Sequence, residues 1–282
     1  MKLPIALRLG RVSNLPTVTS NVLAAVALTG VAAGTWHVIA LCLALSLFYE
    51  GGMFLNDAFD REIDRRERPE RPIPSGAIDA ASVFAWGFAL LAAGTGLVAA
   101  LAIAHGGGGI AIVSALALAA VIVFYDMHHK GNPLSPVVMG VCRAGVYTTA
   151  ALSVSGSLDG AVLIGAGALI AYLIGLTYIA KQENLTELGN LWPLAFLALA
   201  LAVAWPANDT ALWIWIALVF WIVRALAALR AKKIRDAVTS LIAGISLLDG
   251  VWIANHEQAG AASVALVCFA LTTFLQRFVP GT

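Results

Sequence analysis

Residues 50–76 read EGGMFLNDAFDREIDRRERPERPIPSG. An apolar stretch runs into Asn56, Asp57, Asp60 and Asp64, and these into arginines and prolines. If one helix continues through the acids, spacings of three and four put Asp57, Asp60 and Asp64 on a single face. Like charges so placed repel, and a divalent cation relieves the repulsion. Oxygen ligands of this kind suit Mg²⁺, which uses one or two carboxylates plus substrate phosphates. Arg68 and Arg71 follow in a loop stiffened by Pro69, Pro72 and Pro74. Arginine is suited to bidentate phosphate recognition. The alternative is a solvated helix end whose acids are balanced by Arg61, Arg65 and Arg66.

Outward from this stretch the chain is apolar. Of 282 residues, 60% are hydrophobic and 12% charged, against about 25% charged in a soluble domain. That excludes a soluble enzyme, a disordered chain and a nucleic-acid binder. Windows of about 20 apolar residues place candidate spans at 15–35, 37–56, 79–104, 109–126, 134–154, 160–180, 190–206, 210–229, 237–254 and 260–278. Runs such as Leu194 to Val203 do not alternate, which argues against a β-barrel. The expectation is an all-α polytopic membrane protein, with nine to ten spans in one domain over residues 1–282. The first span is followed by Trp36 rather than a small-residue cleavage site, and reads as a retained helix. Trp36, Trp192, Trp205 and Trp252 fall near span ends and read as interfacial anchors. Cys42, Cys142 and Cys268 are isolated in apolar runs and read as packing residues.

With the N-terminus inside and the breaks alternating, all 17 basic residues fall on or near one side. This is the positive-inside pattern. It predicts an integral protein of the plasma (inner) membrane, its N-terminus and active-site loops cytoplasmic. Mg²⁺ ligands and arginines at the mouth of a membrane cavity suggest a lipid diphosphate.

NDAFDREID followed by RPERPIPSG resembles the first signature of the UbiA superfamily of membrane prenyltransferases. The stretch Tyr125-Asp126-Met127-His128-His129-Lys130 resembles the family's tyrosine-to-lysine segment. It leads into Pro133, Pro136, Gly140 and Arg143, and Arg11 and Asn14 match the polar residues before the first span. The resemblance implies helices around a central cavity with a cytoplasmic polar cap. It implies Mg²⁺-dependent transfer of a prenyl group from a prenyl diphosphate to an acceptor that the sequence does not identify. The family's second motif, D-x-x-x-D in outline, is replaced by Lys181-Gln182-Glu183-Asn184-Leu185-Thr186-Glu187. Glu183 and Glu187 keep the i, i+4 spacing and are candidate metal ligands, and Lys181 is a candidate phosphate contact. A solvated loop of mixed charge is the alternative.

The candidate site therefore comprises Asn56, Asp57, Asp60, Asp64 and Lys130 for metal and catalysis. Arg68, Arg71, Tyr125, Arg143, Asn14, Lys181 and Tyr147 are candidates for substrate contact. Arg143 reads as facing the diphosphate or as snorkelling to the cytoplasm. Glu50 reads as lining the cavity beneath the metal, or as a structural hydrogen bond. Asn21 reads as bonding within the cavity or between helices. Asp249, deep in the ninth span, is a costly group with no partner evident from sequence. His128 and His129 do not share a helix face, and solvated interfacial histidines account for them. Phosphatidyl-type transfer needs D-x-x-D-G-x-x-A-R, but Arg61 follows Asp60. A non-catalytic, transport or lipid-binding protein on the same fold remains the alternative function.

Overall fold

The computed structural model describes residues 2–105, 108–181, 192–279 and 281. The described residues form helices α1 (Leu3–Leu9), α2 (Leu15–Leu28), α3 (Thr35–Phe59), α4 (Arg61–Glu67), α5 (Ala80–His105) and α6 (Gly108–His128). Then follow α7 (Ser135–Ser155), α8 (Gly160–Ala180), α9 (Ala195–Val203), α10 (Asp209–Arg230), α11 (Ile234–Asn255) and α12 (Ala259–Leu275). Seven of them are long and apolar enough to cross a membrane, namely α3, α5, α6, α7, α8, α10 and α11. Three shorter apolar helical segments cover Val12–Leu28, Trp192–Val203 and Ala259–Leu275. Each of the ten expected spans thus contains a helix, but three are shorter than expected.

The ends follow local chemistry. Pro16 and Pro136 sit in the first turns of α2 and α7, where a missing N–H costs nothing. Asn208 caps α10 by accepting from Ala211 N at 2.9 Å. The first expected span stops early because Thr29 Oγ1 donates back to Val26 O at 2.7 Å and Gly30 turns out at φ +65°.

Helix α11 is the centre of the bundle, with 89% of its apolar window buried, whereas α6 has 17%. α10, α12, α2 and α8 pack around α11, α7 packs on α8, α6 and α2, and α3, α5 and α6 complete the bundle on that side. The outer faces carry Trp36, Ile103, Trp213 and Phe220, all largely exposed, as suits side chains facing lipid. Helices α3 and α5 approach closely at Gly94, where an added Cβ would stand 2.9 Å from Ala44 O and from the Phe48 ring. Small residues at such contacts let membrane helices pack by van der Waals surface alone. One expected anchor is corrected: Trp252 is buried in α11, because the centre of the bundle, not its rim, passes that turn.

Polar residues collect at one end. The C-terminal ends of α3, α6 and α8 meet the N-terminal ends of α7 and α11 there, with Asn14 and Gly281 beside them. The loop 68–79 also folds over this end, bringing Arg68 and Arg71 to the mouth.

Candidate active site

The helix does not run through the acids as expected. α3 ends at Phe59, Asp60 is the junction residue, and α4 restarts at Arg61. The break divides the carboxylates between two sets of cations. Arg71 Nη1 reaches Asp64 Oδ2 at 2.7 Å and Asp57 Oδ1 at 3.3 Å. Arg11 Nη2 meets the same Asp57 oxygen at 3.2 Å. Asp60 turns the other way, its Oδ2 lying 3.3 Å from His129 Nε2 and 3.4 Å from Lys130 Nζ. Asn56, Asp57, Asp60 and Asp64 are all buried, so these pairings count for more than the exposed Arg65–Glu62 bridge.

Burial pushes the Asp60 carboxyl up. Hydrogen bonds and charges from His129 and Lys130 outweigh it and hold the group below its ordinary value. Asp64 goes the other way: burial raises it, Arg71 opposes, and Asp57 and Asp60 add repulsion. Lowering the pH therefore protonates Asp64 before Asp60. Cation binding that needs both groups ionised should weaken by up to about tenfold per pH unit below the Asp64 midpoint. Titrating Mg²⁺-dependent ligand binding between about pH 7 and pH 4 checks this, with a shallower profile expected for Asp64→Asn.

Asn56 and Asp60 border a cavity of about 420 Å³. Its polar wall includes Arg11, Asn14, Asn56, Asp60, Arg68, Arg71, Tyr125, His129, Lys130, Arg143 and Lys181. Its opposite wall is apolar, formed by Leu173, Leu176, Val238, Ile242 and Ile245 from α8 and α11. A small side chamber adjoins it through Tyr49, Met53, Tyr125, Met139 and Arg143. The cavity thus has a charged end and a greasy end, which accommodates an amphiphile with an anionic head.

Most of the expected residues come together here. Asp57 and Asp64 stand behind the wall, tied to Arg71. Asn14 lines the wall but its amide serves the frame: Nδ2 donates to Tyr49 Oη at 3.1 Å and to Gly281 O at 2.9 Å. Lys181 Nζ donates to Asn132 O at 2.6 Å, closing α8 onto the loop before α7, and burial lowers its pKa. Tyr147 is corrected: it is fully buried, and its hydroxyl donates a very short hydrogen bond to Asp249 rather than facing the cavity. Glu50 is also corrected, lying half-buried near Gly10 and outside the cavity wall. Asn21 bonds between helices, to Asp249 and Arg143. Glu183 and Glu187 lie outside the described residues.

His129 was missed. It is not a solvated interfacial group: its ring stacks on Tyr125 with centroids 4.9 Å apart, and its side chain is mostly covered. The i, i+4 spacing of Tyr125 and His129 was the available signal. Asp126 is a second omission. It is buried and accepts from Asn56 Nδ2 at 3.2 Å.

Among the described residues, no three His, Cys, Asp or Glu side chains converge to enclose a metal ion. Asp126 Oδ2 and Ser135 Oγ are buried there without a hydrogen-bond partner. Hard oxygens that can supply only part of a coordination sphere fit Mg²⁺, which takes its remaining oxygens from water and substrate phosphates.

The profile of the UbiA prenyltransferase family matches residues 14–188. Digeranylgeranylglyceryl phosphate synthase of Methanothrix thermoacetophila is 41% identical over 96 residues, 33% of this chain and 32% of that protein. The enzyme of the same name from Halobacterium salinarum is 32% identical over 160 residues, 55% of this chain and 49% of that protein. The chain therefore aligns with half or less of the length of these relatives. A solved structure of a digeranylgeranylglyceryl phosphate synthase superposes with a TM-score of 0.63 at 18% identity, covering 93% of this chain and 99% of that one. A UbiA homologue from Archaeoglobus fulgidus, solved with DMAPP and Mg²⁺, superposes with a TM-score of 0.54 at 14% identity, covering 97% and 99%. The fold is shared with both, and the match over residues 14–188 assigns the family: this chain belongs to the UbiA prenyltransferase family.

Proposed function

We propose that residues 1–282 form one membrane domain that transfers a prenyl group from a prenyl diphosphate to an acceptor in the bilayer, with Mg²⁺. The observation that carries this reading is the cavity with buried carboxylates and cations at one end and an apolar wall at the other. Relatives that carry the name of a prenyl-lipid synthase, and a homologue solved with DMAPP and Mg²⁺, support it.

Asp60 and Asn56, with Asp57, Asp64 and the unpartnered oxygen of Asp126 close by, would hold the ion. Bound Mg²⁺ would neutralise diphosphate oxygens as a Lewis acid. Arg68, Arg71, Lys130 and Lys181 would take the charge that grows on the diphosphate as the carbon–oxygen bond breaks. Preorganised cations in a dry site give most at that point. The wall of Leu173, Leu176, Ile242 and Ile245 would hold the chain and keep water from the allylic carbon. Glu183 and Glu187 are proposed as further ligands of the metal. The basic end is proposed to face the cytoplasm, in the plasma (inner) membrane. The relatives' name makes a glyceryl phosphate lipid the first acceptor to try.

The test is direct. Purified protein in detergent is incubated with prenyl diphosphates of several lengths, with and without Mg²⁺, and binding and diphosphate release are measured. Mg²⁺-dependent binding of at least one is expected. If none binds, prenyl transfer is refuted and a transport or lipid-binding role takes its place.

A further inference from the structure

The cations of the cavity fall into two groups. Arg11, Arg71, Lys130 and His129 each contact an aspartate of the first motif. Arg143 does not. Ser135, Met139 and Arg143 line the cavity from α7 at i, i+4 and i+8, so Arg143 stands about 12 Å further along the helix than Ser135, roughly two turns deeper. Its guanidinium is buried and its two hydrogen-bond partners are neutral. Nη1 donates to Asn21 Oδ1 at 2.7 Å and Nη2 to Thr17 Oγ1 at 2.8 Å. Its plane lies over the Tyr49 ring, 5.3 Å from the centroid.

Behind it the frame is rigid. Thr17 and Asn21 are one turn apart on α2. Thr17 Oγ1 donates to Asn14 O at 2.7 Å, and Asn21 Nδ2 donates to Asp249 Oδ2 at 2.8 Å. Asp249 is linked to Arg143 through Asn21 and is itself engaged by Ser20 and Tyr147. The arginine is therefore held in one pose by neutral contacts, with two of its five N–H donors used. A buried cation in a cavity wall without a direct counter-ion is costly until an anion reaches it. The side chamber it borders is lined by Val18, Phe48, Ile122 and Val146, with Asp126 also on its wall, so a ligand placed here meets the guanidinium beside apolar surface.

We propose that Arg143 is a second oxyanion site, separate from the diphosphate mouth, and that it takes the phosphate or carboxylate of the acceptor. This rests on the prenyl-transfer reading, and it reassigns Arg143 from donor to acceptor. A diphosphate held by Arg68, Arg71 and Lys130 would sit among the cations that pair with the motif, whereas Arg143 lies two turns past Ser135 on α7, and a second substrate must enter the same cavity.

The test uses the full chain in detergent, with EDTA for the acceptor probes and Mg²⁺ for the donor analogue. The probes are geranylgeranylglyceryl phosphate, its dephosphorylated alcohol and a C20 fatty carboxylate. Tighter binding of one anionic probe than of the alcohol, by tenfold or more, is expected, and its identity separates phosphate from carboxylate. Arg143→Met should erase that preference yet change Mg²⁺-dependent binding of geranylgeranyl thiodiphosphate by less than threefold. Thr17→Val, which keeps the charge but loosens the guanidinium, should lower the preference severalfold and covers the case in which Arg143→Met does not fold. Equal binding of all three probes by the wild type would overturn the proposal. So would a loss of thiodiphosphate binding in Arg143→Met as large as the loss of the anionic probe. A wild type that prefers an anionic probe yet binds no thiodiphosphate would refute prenyl transfer and leave the oxyanion site standing.

Discussion

Asp60→Asn should weaken Mg²⁺-dependent binding of a prenyl diphosphate on the order of 100-fold or more, beyond the 10–100-fold typical of residues one shell further out. Of the three motif aspartates, only Asp60 borders the cavity. Asp57 and Asp64 are occupied by Arg71 and Arg11. The amide keeps the shape and one acceptor oxygen but removes the charge, leaving Lys130 and His129 facing a neutral group. The Lys130 ammonium then repels an incoming cation where the carboxylate had balanced it. The comparison is Asp79→Asn, an exposed acid that only caps Ser82 at the start of α5. Isothermal titration with a thiodiphosphate analogue, with and without Mg²⁺, reads both. Retention of Mg²⁺-dependent affinity within about threefold in Asp60→Asn would remove Asp60 from the site.

The second large effect is on stability. Asp249→Leu should destabilise the protein by about 2–4 kcal/mol, and lower the midpoint of thermal unfolding in detergent by roughly 5–10 °C. Asp249 is fully buried and accepts from Ser20 Oγ at 2.5 Å, from Asn21 Nδ2 at 2.8 Å and from Tyr147 Oη. These donors come from α2 and α7, so one carboxylate ties both helices to α11. Leucine fills the volume but leaves Asn21 Nδ2 and Tyr147 Oη without an acceptor, while Ser20 Oγ keeps Thr17 O at 3.1 Å and Ser246 Oγ at 3.0 Å. Interhelical hydrogen bonds in membranes average near 0.6 kcal/mol each, while an orphaned donor costs about 1–3, so two orphans at about 1–2 kcal/mol each give the range. Asp249→Asn, with one acceptor oxygen left, should lose about half as much. A midpoint for Asp249→Leu within about 1 °C of the wild type would show that the cluster holds nothing together.

The apolar helices were legible because each announces itself within a window of its own length. The short α2 was not, since its end depends on a single threonine hydroxyl and a glycine with positive φ. The acids of the first motif were legible as a group, because their spacing is local. Their pairing was not. A reading of residues 56–64 as one helix puts the three aspartates on one face, but the break at Asp60 turns that residue toward His129, just past the end of α6. Asp249 illustrates the same limit: its cost was plain from sequence, but its partners are more than 100 residues away. Tyr147 looked like a cavity aromatic because a tyrosine near a basic residue suits either role. Only the fold, which brings Asp249 of α11 to its hydroxyl, decides which.

Arg71 gives the resting site a counter-ion of its own. One guanidinium nitrogen is shared between Asp57 and Asp64, so these two acids do not stand as bare charges waiting for metal. Anything that claims them must give Arg71 other anions in exchange, and a diphosphate offers them. The pocket is in this sense an ion exchanger with its own cation already loaded. On the proposed function it would discriminate against a free divalent ion, which brings nothing for the arginine, and in favour of one that arrives with phosphate.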